Sequence, residues 1–198
     1  MLHDLMTVLC PGCPLRGFFY TMEQCKQVPI LLDLGCVIHQ KEAFCQTQTT
    51  DGTFCLVSEA ALEALKQSDL KQRIPVVWEN EGGVTEAVLA DLGYGTVLRA
   101  DPLDLTAMRN AVEEALQEDD PVAIVISRPC RKAVEKEPVA RQCEVDRFRC
   151  LGCKKCLRVG CPAIAMDRSV SRIEPSLCVG CGVCVQVCPV DAILSKEF

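Results

Sequence analysis

The sequence predicts an α/β chain: a shortened doubly wound parallel sheet followed by a small, cysteine-rich α+β module. Three observations carry this. Short apolar runs alternate with amphipathic runs through residue 127, a charged and proline-punctuated arm follows, and the tail holds two copies of one cysteine motif. Strands apolar on both faces and alternating with helices imply a mostly parallel sheet covered on both sides.

The elements follow in order. "RGFFYTMEQCK" (16–26) has helical composition, and "PILLDLG" (29–35) is a short apolar run ending in glycine, the pattern of a buried strand. "SEAALEALKQS" (58–68) reads as a helix with Ser58 as N-cap and Ala61, Leu62 and Leu65 as its apolar positions. "IPVVWEN" (74–80) is a second strand, "TEAVLADLG" (85–93) a helix stopped by Gly93, and "GTVLRAD" (95–101) a third strand. "DLTAMRNAVEEALQ" (104–117) has Asp104 as N-cap and a stripe through Leu105, Met108, Val112 and Leu116. "PVAIVIS" (121–127) is the fourth strand. Residues 128–149 read as a connecting arm, which sets a boundary near residue 140 and two domains, 1–139 and 140–198.

Composition narrows the function. The chain has 198 residues, 49% apolar, with net charge −6 and a pI near 5.0. An acidic chain does not suit nucleic acid, which selects a basic face. The positive charge is concentrated, with ten Lys/Arg against four Asp/Glu over residues 128–158. No run reaches the roughly 18–20 apolar residues of a membrane span. The opening "MLHDLMTVLCPGCPLRG" has no basic n-region, so it does not read as a secretory signal. Sixteen cysteines without an export signal point to a reducing compartment, where they serve metal ligation or redox chemistry more often than disulfides. The expectation is a soluble, cytoplasmic metalloprotein.

"CLGCKKCLRVGCPAI" (150–164) and "CVGCGVCVQVCPVDAI" (178–193) repeat at an offset of 28 residues. Each has cysteines at C-x-x-C-x-x-C and then a Cys-Pro. Three thiolates from such a loop wrap one [4Fe–4S] cube, and the displaced Cys-Pro reaches the neighbouring one, so the tail reads as a two-cluster ferredoxin-like domain. Crossed ligation follows: Cys150, Cys153, Cys156 and Cys188 for one cluster, Cys178, Cys181, Cys184 and Cys161 for the other. Zinc ribbons pair two C-x-x-C knuckles and need neither the third cysteine nor the Cys-Pro. One departure stands out: four residues separate Cys156 from Cys161, where the usual run has three.

The remaining C-x-x-C, Cys10 and Cys13, can be a dithiol redox pair, half a metal site or a chance pairing. A dithiol motif opens a helix after a buried strand, and no strand is predicted before Cys10. Cys25, Cys45, Cys55 and Cys143 belong to no motif and are expected to act as small buried hydrophobes.

Taken together, "CPGCPLRGFFY", "LLDLGC" (31–36), "VAIVISRPC" (122–130) and the two tail motifs resemble the α subunit of indolepyruvate:ferredoxin oxidoreductase. The resemblance runs from that family's thiamine-diphosphate-binding domain to its C-terminal ferredoxin domain. Leu15 stands where the family's opening motif has His. The family's relatives hold a cluster near thiamine with a C-x-x-C, a cysteine after the first strand and one late in the domain. The resemblance therefore implies a third [4Fe–4S] cluster at Cys10, Cys13, Cys36 and Cys130. Cys36 and Cys130 each follow the C-terminal end of a predicted strand, the edge where ligand sites collect in open parallel sheets.

The family also implies Mg²⁺ and thiamine diphosphate, bound by an aspartate and an asparagine that match Asp51 and Asn80, 29 positions apart. Two departures weaken that match. Thr50 replaces the first glycine of the turn, and "KEAFCQTQTTDGTF" (41–54) occupies the interval that should hold a long helical segment and a buried strand. "QTQTT" cannot be buried on both faces without stranding its polar groups. The expectation is that the electron path is kept and the thiamine pocket largely lost.

The leading functional expectation is an iron–sulfur electron-transfer subunit of a larger anaerobic oxidoreductase, with other subunits and a ferredoxin-type carrier as partners and no catalytic residues of its own. The alternative is the catalytic subunit of a split 2-oxoacid:ferredoxin oxidoreductase using thiamine diphosphate; a scaffold with structural clusters is a third. Arg147, Arg149, Lys154, Lys155 and Arg158 surround the first cysteine loop, where they offset cluster charge, dock an acidic carrier or simply face water.

Overall fold

The computed structural model describes residues 2–32, 52–80, 82–131 and 141–197. Cys36, Cys45 and Asp51 lie outside them.

Five strands form one sheet: β1 (Ile30–Leu31), β2 (Phe54–Ser58), β3 (Ile74–Glu79), β4 (Thr96–Ala100) and β5 (Val122–Ser127). Their order is β1-β2-β3-β5-β4, and every neighbouring pair is parallel. Alternate residues of each strand enter different cores, which is why the strands read as continuous apolar runs. Leu56, Val76, Trp78, Ile124 and Ile126 face α1 (Leu2–Thr7), α2 (Leu15–Gln24) and the later helix Leu105–Ala115. Cys55, Val57, Val77, Ala123 and Val125 face the helices Leu62–Gln67 and Glu86–Asp91. In chain order these three helices are α3 (Leu62–Gln67), α4 (Glu86–Asp91) and α5 (Leu105–Ala115). Phe18, Phe19 and Met22 of α2 are fully buried, each stabilising the fold by about 1.5–3 kcal/mol through removal from water.

The doubly wound parallel sheet is present, with corrections. β2 is a central strand that the sequence pattern did not separate from the polar run before it, and all five of its residues are buried. Ser58 ends β2 and makes no cap hydrogen bond; a 3₁₀ turn (Glu59–Ala61) intervenes before α3. Leu116 is 43% exposed rather than part of the α5 stripe, which runs through Leu105, Met108, Ala111, Val112 and Ala115. Asp104 does cap α5, its Oδ1 accepting from Thr106 and Ala107 N–H at 3.0 Å each.

The tail builds two small antiparallel sheets. β6 (Arg141–Val145) pairs with β9 (Ile193–Glu197), and β7 (Ile164–Asp167) pairs with β8 (Val170–Ile173). A 3₁₀ turn (Lys155–Val159) and α6 (Val183–Gln186) carry the middle of the two cysteine motifs. The tail docks on the C-terminal edge of the parallel sheet. Leu103 and Leu105 pack with Val159 and Val183, while Gln186 accepts from Leu105 N–H at 2.9 Å and donates to Leu103 O at 2.8 Å.

Candidate metal centres

Each cysteine loop turns so tightly that its thiols face one side. In the first, Cys150, Cys153, Cys156 and Cys188 line a single cavity of about 310 Å³, open solvent included, between Ser171, Ala192 and Ile193. Ser171 N–H donates to Cys150 Sγ at 3.5 Å, Ala192 N–H to Cys188 Sγ at 3.2 Å, and Ser171 Oγ lies 3.1 Å from Cys156 Sγ. Burial opposes ionisation of Cys150, but the N–H bonds from Ser171 and Gly152 outweigh it and hold this thiol below its usual range. Donors aimed at sulfur favour thiolate, the form that binds iron.

The second cavity, about 290 Å³ with open solvent, is lined by Cys161, Cys178, Cys181 and Cys184. Cys143 lines it too, and its N–H donates to Cys178 Sγ at 3.3 Å. Burial pushes the Cys181 thiol up, with Arg16 acting against that shift. Loading these crowded thiols therefore requires protons to leave.

Both cavities thus present the crossed donor sets, three cysteines from one motif and the Cys-Pro cysteine of the other. Among the described residues no three His, Cys, Asp or Glu side chains meet the geometry for a single metal ion. A cubane asks for something different, namely four thiolates on four separate irons around a volume, with amide donors at the sulfurs. The donor chemistry of the two cavities fits that group.

The Cys10–Cys13 loop is a tight turn, with Cys13 N–H bonded to Cys10 O at 3.1 Å. It lies against the second cavity. A Cβ at Gly12 would stand 2.2 Å from Val179 Cγ2 and 3.9 Å from Arg131 Cγ, and Pro11 and Gly12 line that cavity. Cys130 follows β5 and packs on the same apolar cluster as Cys10 and Cys13. The Gly12–Arg131 approach brings the Cys10–Cys13 loop beside the segment that carries Cys130; Cys36 lies outside the described residues.

The thiamine pair fares differently. Asn80 sits just past β3 with its Oδ1 accepting from Cys130 N–H, so its carbonyl anchors the cysteine loop. Asp51 lies outside the described residues. Beside Asn80, buried Glu79 accepts from Ser127 Oγ and from Gly83 and Val84 N–H at 2.9 and 2.8 Å, and faces Arg99 at 3.6 Å. Its acceptors are committed to the loop ends of the sheet.

Three contributors escaped the sequence pattern. The sequence pattern leaves Cys143 among the small buried hydrophobes, gives Ser171 no signal, and places Arg16 only at the start of a stretch of helical composition. The signal for the first two exists: they are 28 residues apart, the offset of the cysteine motifs themselves. Burial keeps Cys55 as the inert hydrophobe expected of it, raising its thiol to about 11.

A 4Fe–4S binding domain model matches residues 172–194. Over 118 residues, 54% of this chain, the sequence is 33% identical to 18% of indolepyruvate oxidoreductase subunit IorA of Pyrococcus abyssi. It is 39% identical over 66 residues, 32% of this chain, to 24% of a subunit of the ion-translocating oxidoreductase complex of Methanosarcina acetivorans. It is 37% identical over 49 residues, 25% of this chain, to 58% of pyruvate synthase subunit PorD of Methanothermobacter marburgensis. The chain spans under a fifth of the IorA protein it matches (18%). It carries a 4Fe–4S binding domain behind a five-stranded parallel α/β sheet, and over half its length it is similar to the IorA subunit of indolepyruvate oxidoreductase.

Proposed function

We propose that this chain is an iron–sulfur electron-transfer subunit of a larger oxidoreductase complex. The observation that carries the proposal is the pair of cavities, each lined by four cysteines in the crossed pattern of a two-cluster ferredoxin. Its relatives are named as subunits of oxidoreductases, which supports a complex with partner subunits.

Each bound [4Fe–4S] group supplies a one-electron site; the chain's residues decide where it sits and how readily it is reduced. Cys150, Cys153, Cys156 and Cys188 hold the first, and Cys161, Cys178, Cys181 and Cys184 the second. Cys10, Cys13, Cys36 and Cys130 hold a third, with Asn80 fixing the Cys130 loop. The close approach of Gly12 to Val179 supports a third site next to the second. Beside the first cavity, which Leu151 lines, the chain exposes Phe148 and Leu151 (102% and 71%) among Arg149, Lys154 and Lys155. An apolar tip ringed by cations suits an acidic, ferredoxin-type carrier.

Iron and acid-labile sulfide on protein purified without oxygen test this directly, with thiamine assayed in the same sample. About twelve irons per chain support the three-site relay, and about eight confine the clusters to the tail. An iron count near zero after anaerobic reconstitution overturns the proposal. Stoichiometric thiamine favours the split 2-oxoacid oxidoreductase.

A further inference from the structure

Arg16 lies in the first turn of α2 and is 0% exposed. A guanidinium keeps its positive charge inside a protein. Its Nη atoms donate to Met6 O at 3.0 Å, Leu9 O at 2.9 Å, Cys10 O at 3.0 Å and Val159 O at 2.9 Å. All four acceptors are neutral carbonyls, and Nε is buried without a partner. The described ion pairs include none to Arg16. A buried charge in neutral surroundings is costly unless an anion stands near it.

The position of the cation suggests where that anion is. Two of its acceptors, Leu9 and Cys10, lead into the Cys10–Cys13 loop, which packs on Val179 between Cys178 and Cys181. Val159 precedes Cys161 by two residues. Arg16 also acts electrostatically on Cys181, favouring its thiolate. Pro11 and Gly12, next to the acceptor Cys10, line the cavity of Cys161, Cys178, Cys181 and Cys184, whereas no residue of the Cys10–Cys13 loop lines the cavity of Cys150, Cys153, Cys156 and Cys188.

Resting on the electron-transfer reading, we propose that Arg16 is the fixed counter-charge of the centre held by Cys161, Cys178, Cys181 and Cys184. It raises that centre's reduction potential and acts much less on the centre held by Cys150, Cys153, Cys156 and Cys188. Four thiolates around a [4Fe–4S]²⁺ core give a dianion, and one electron delivered by a partner subunit makes it a trianion. Arg16 offsets that added charge in place; no bond forms or breaks and no proton moves. Its hydrogen bonds to both halves of the chain keep it there.

The test is an anaerobic redox titration of the full chain, followed by electron paramagnetic resonance with dithionite as reductant, on the native protein, Arg16→Gln and Arg16→Lys. Arg16→Gln is expected to lower the reduction equilibrium of at least one titrating centre tenfold, 59 mV for a one-electron couple, and to leave another within threefold. Arg16→Lys, which keeps the charge and loses the fork of hydrogen bonds, should leave every centre within threefold. A uniform shift or none in Arg16→Gln, or the same selective shift in Arg16→Lys, overturns the proposal. Should Arg16→Gln fail to retain iron, Arg16→Lys decides: native iron content and potentials support the counter-charge role, and loss of iron or a shift overturns it. The iron content of the native protein reports separately on the electron-transfer reading.

Discussion

Cys143 and Ser171 are equivalent residues of an internal repeat, each donating its backbone N–H to a cysteine of the neighbouring cavity. Cys143 bonds Cys178 Sγ at 3.3 Å and Ser171 bonds Cys150 Sγ at 3.5 Å. The 28-residue offset that relates them also relates Cys150 to Cys178 and Cys156 to Cys184. It brings β6 onto β8 and β7 onto β9, so the β6–β9 and β7–β8 pairs are two versions of one unit. The repeat thus extends past the cysteines into the strands that serve them. The side chains differ, a hydroxyl at one site and a thiol at the other.

That difference is testable. Ser171→Ala removes the hydroxyl beside Cys156 while keeping the amide. It should lower the reduction equilibrium of one centre by roughly tenfold, about 59 mV, at unchanged iron content. Cys143→Ala should act on the other centre, with a smaller effect because a thiol is the weaker donor. Redox titrations of the two variants check both. Loss of about four irons in Cys143→Ala would instead make that residue a ligand.

The crossed donor sets predict a pattern of non-additivity. Cys153→Ala should cost one cluster, and adding Cys188→Ala should cost no further iron, because both thiols serve the same centre. Adding Cys161→Ala to Cys153→Ala should empty both tail centres. Iron determinations on the two double variants decide it, and uncrossed ligation would reverse them.

Glu79 predicts a pH dependence of stability. The Ser127 hydroxyl, the Gly83 and Val84 amides and Arg99 hold its carboxyl below the usual range, although burial opposes them. A depressed folded-state value means the stabilisation is complete above the unfolded value of about 4.3 and is lost as pH falls through the lower folded value. Glu79→Gln should cost about 1–3 kcal/mol at neutral pH. Urea melts of the two proteins should differ at pH 7 and converge on acidification, and parallel curves would refute the assignment.

Gln186 joins the halves of the chain. Gln186→Ala leaves the Leu105 N–H and the Leu103 O without their partner and should destabilise the fold by about 1–2 kcal/mol. Thermal unfolding of the reconstituted protein measures this. Gln186→Glu keeps the acceptor and should cost less only if the Leu105 amide is the dominant bond.

The legibility of the fold in the sequence followed how local each signal is. β3, β5 and α5 announce themselves within one window, through apolar runs and an Asp104 cap. β2 did not, because its five buried residues begin just past a polar stretch and end in a serine that resembles a helix cap. The eight tail cysteines were legible from spacing and repetition alone. Arg16 was not, since charged side chains normally face water and only tertiary packing buries this one. Cys143 needed the two copies to be compared strand by strand. Asn80 reads in the sequence as a remnant of a Mg–thiamine site, and the contact of its carbonyl with the Cys130 N–H depends on packing that the sequence does not display.

The extra residue between Cys156 and Cys161 now has a physical role. It lies in the stretch where Val159 O receives Arg16 and where Gly160 faces α1, so closely that a Cβ there would stand 2.7 Å from Met6 Cβ. The tail is therefore not an interchangeable cassette. Transplanting a free-standing ferredoxin with the ordinary spacing would supply the same eight thiols and remove the lock that fits them to this host.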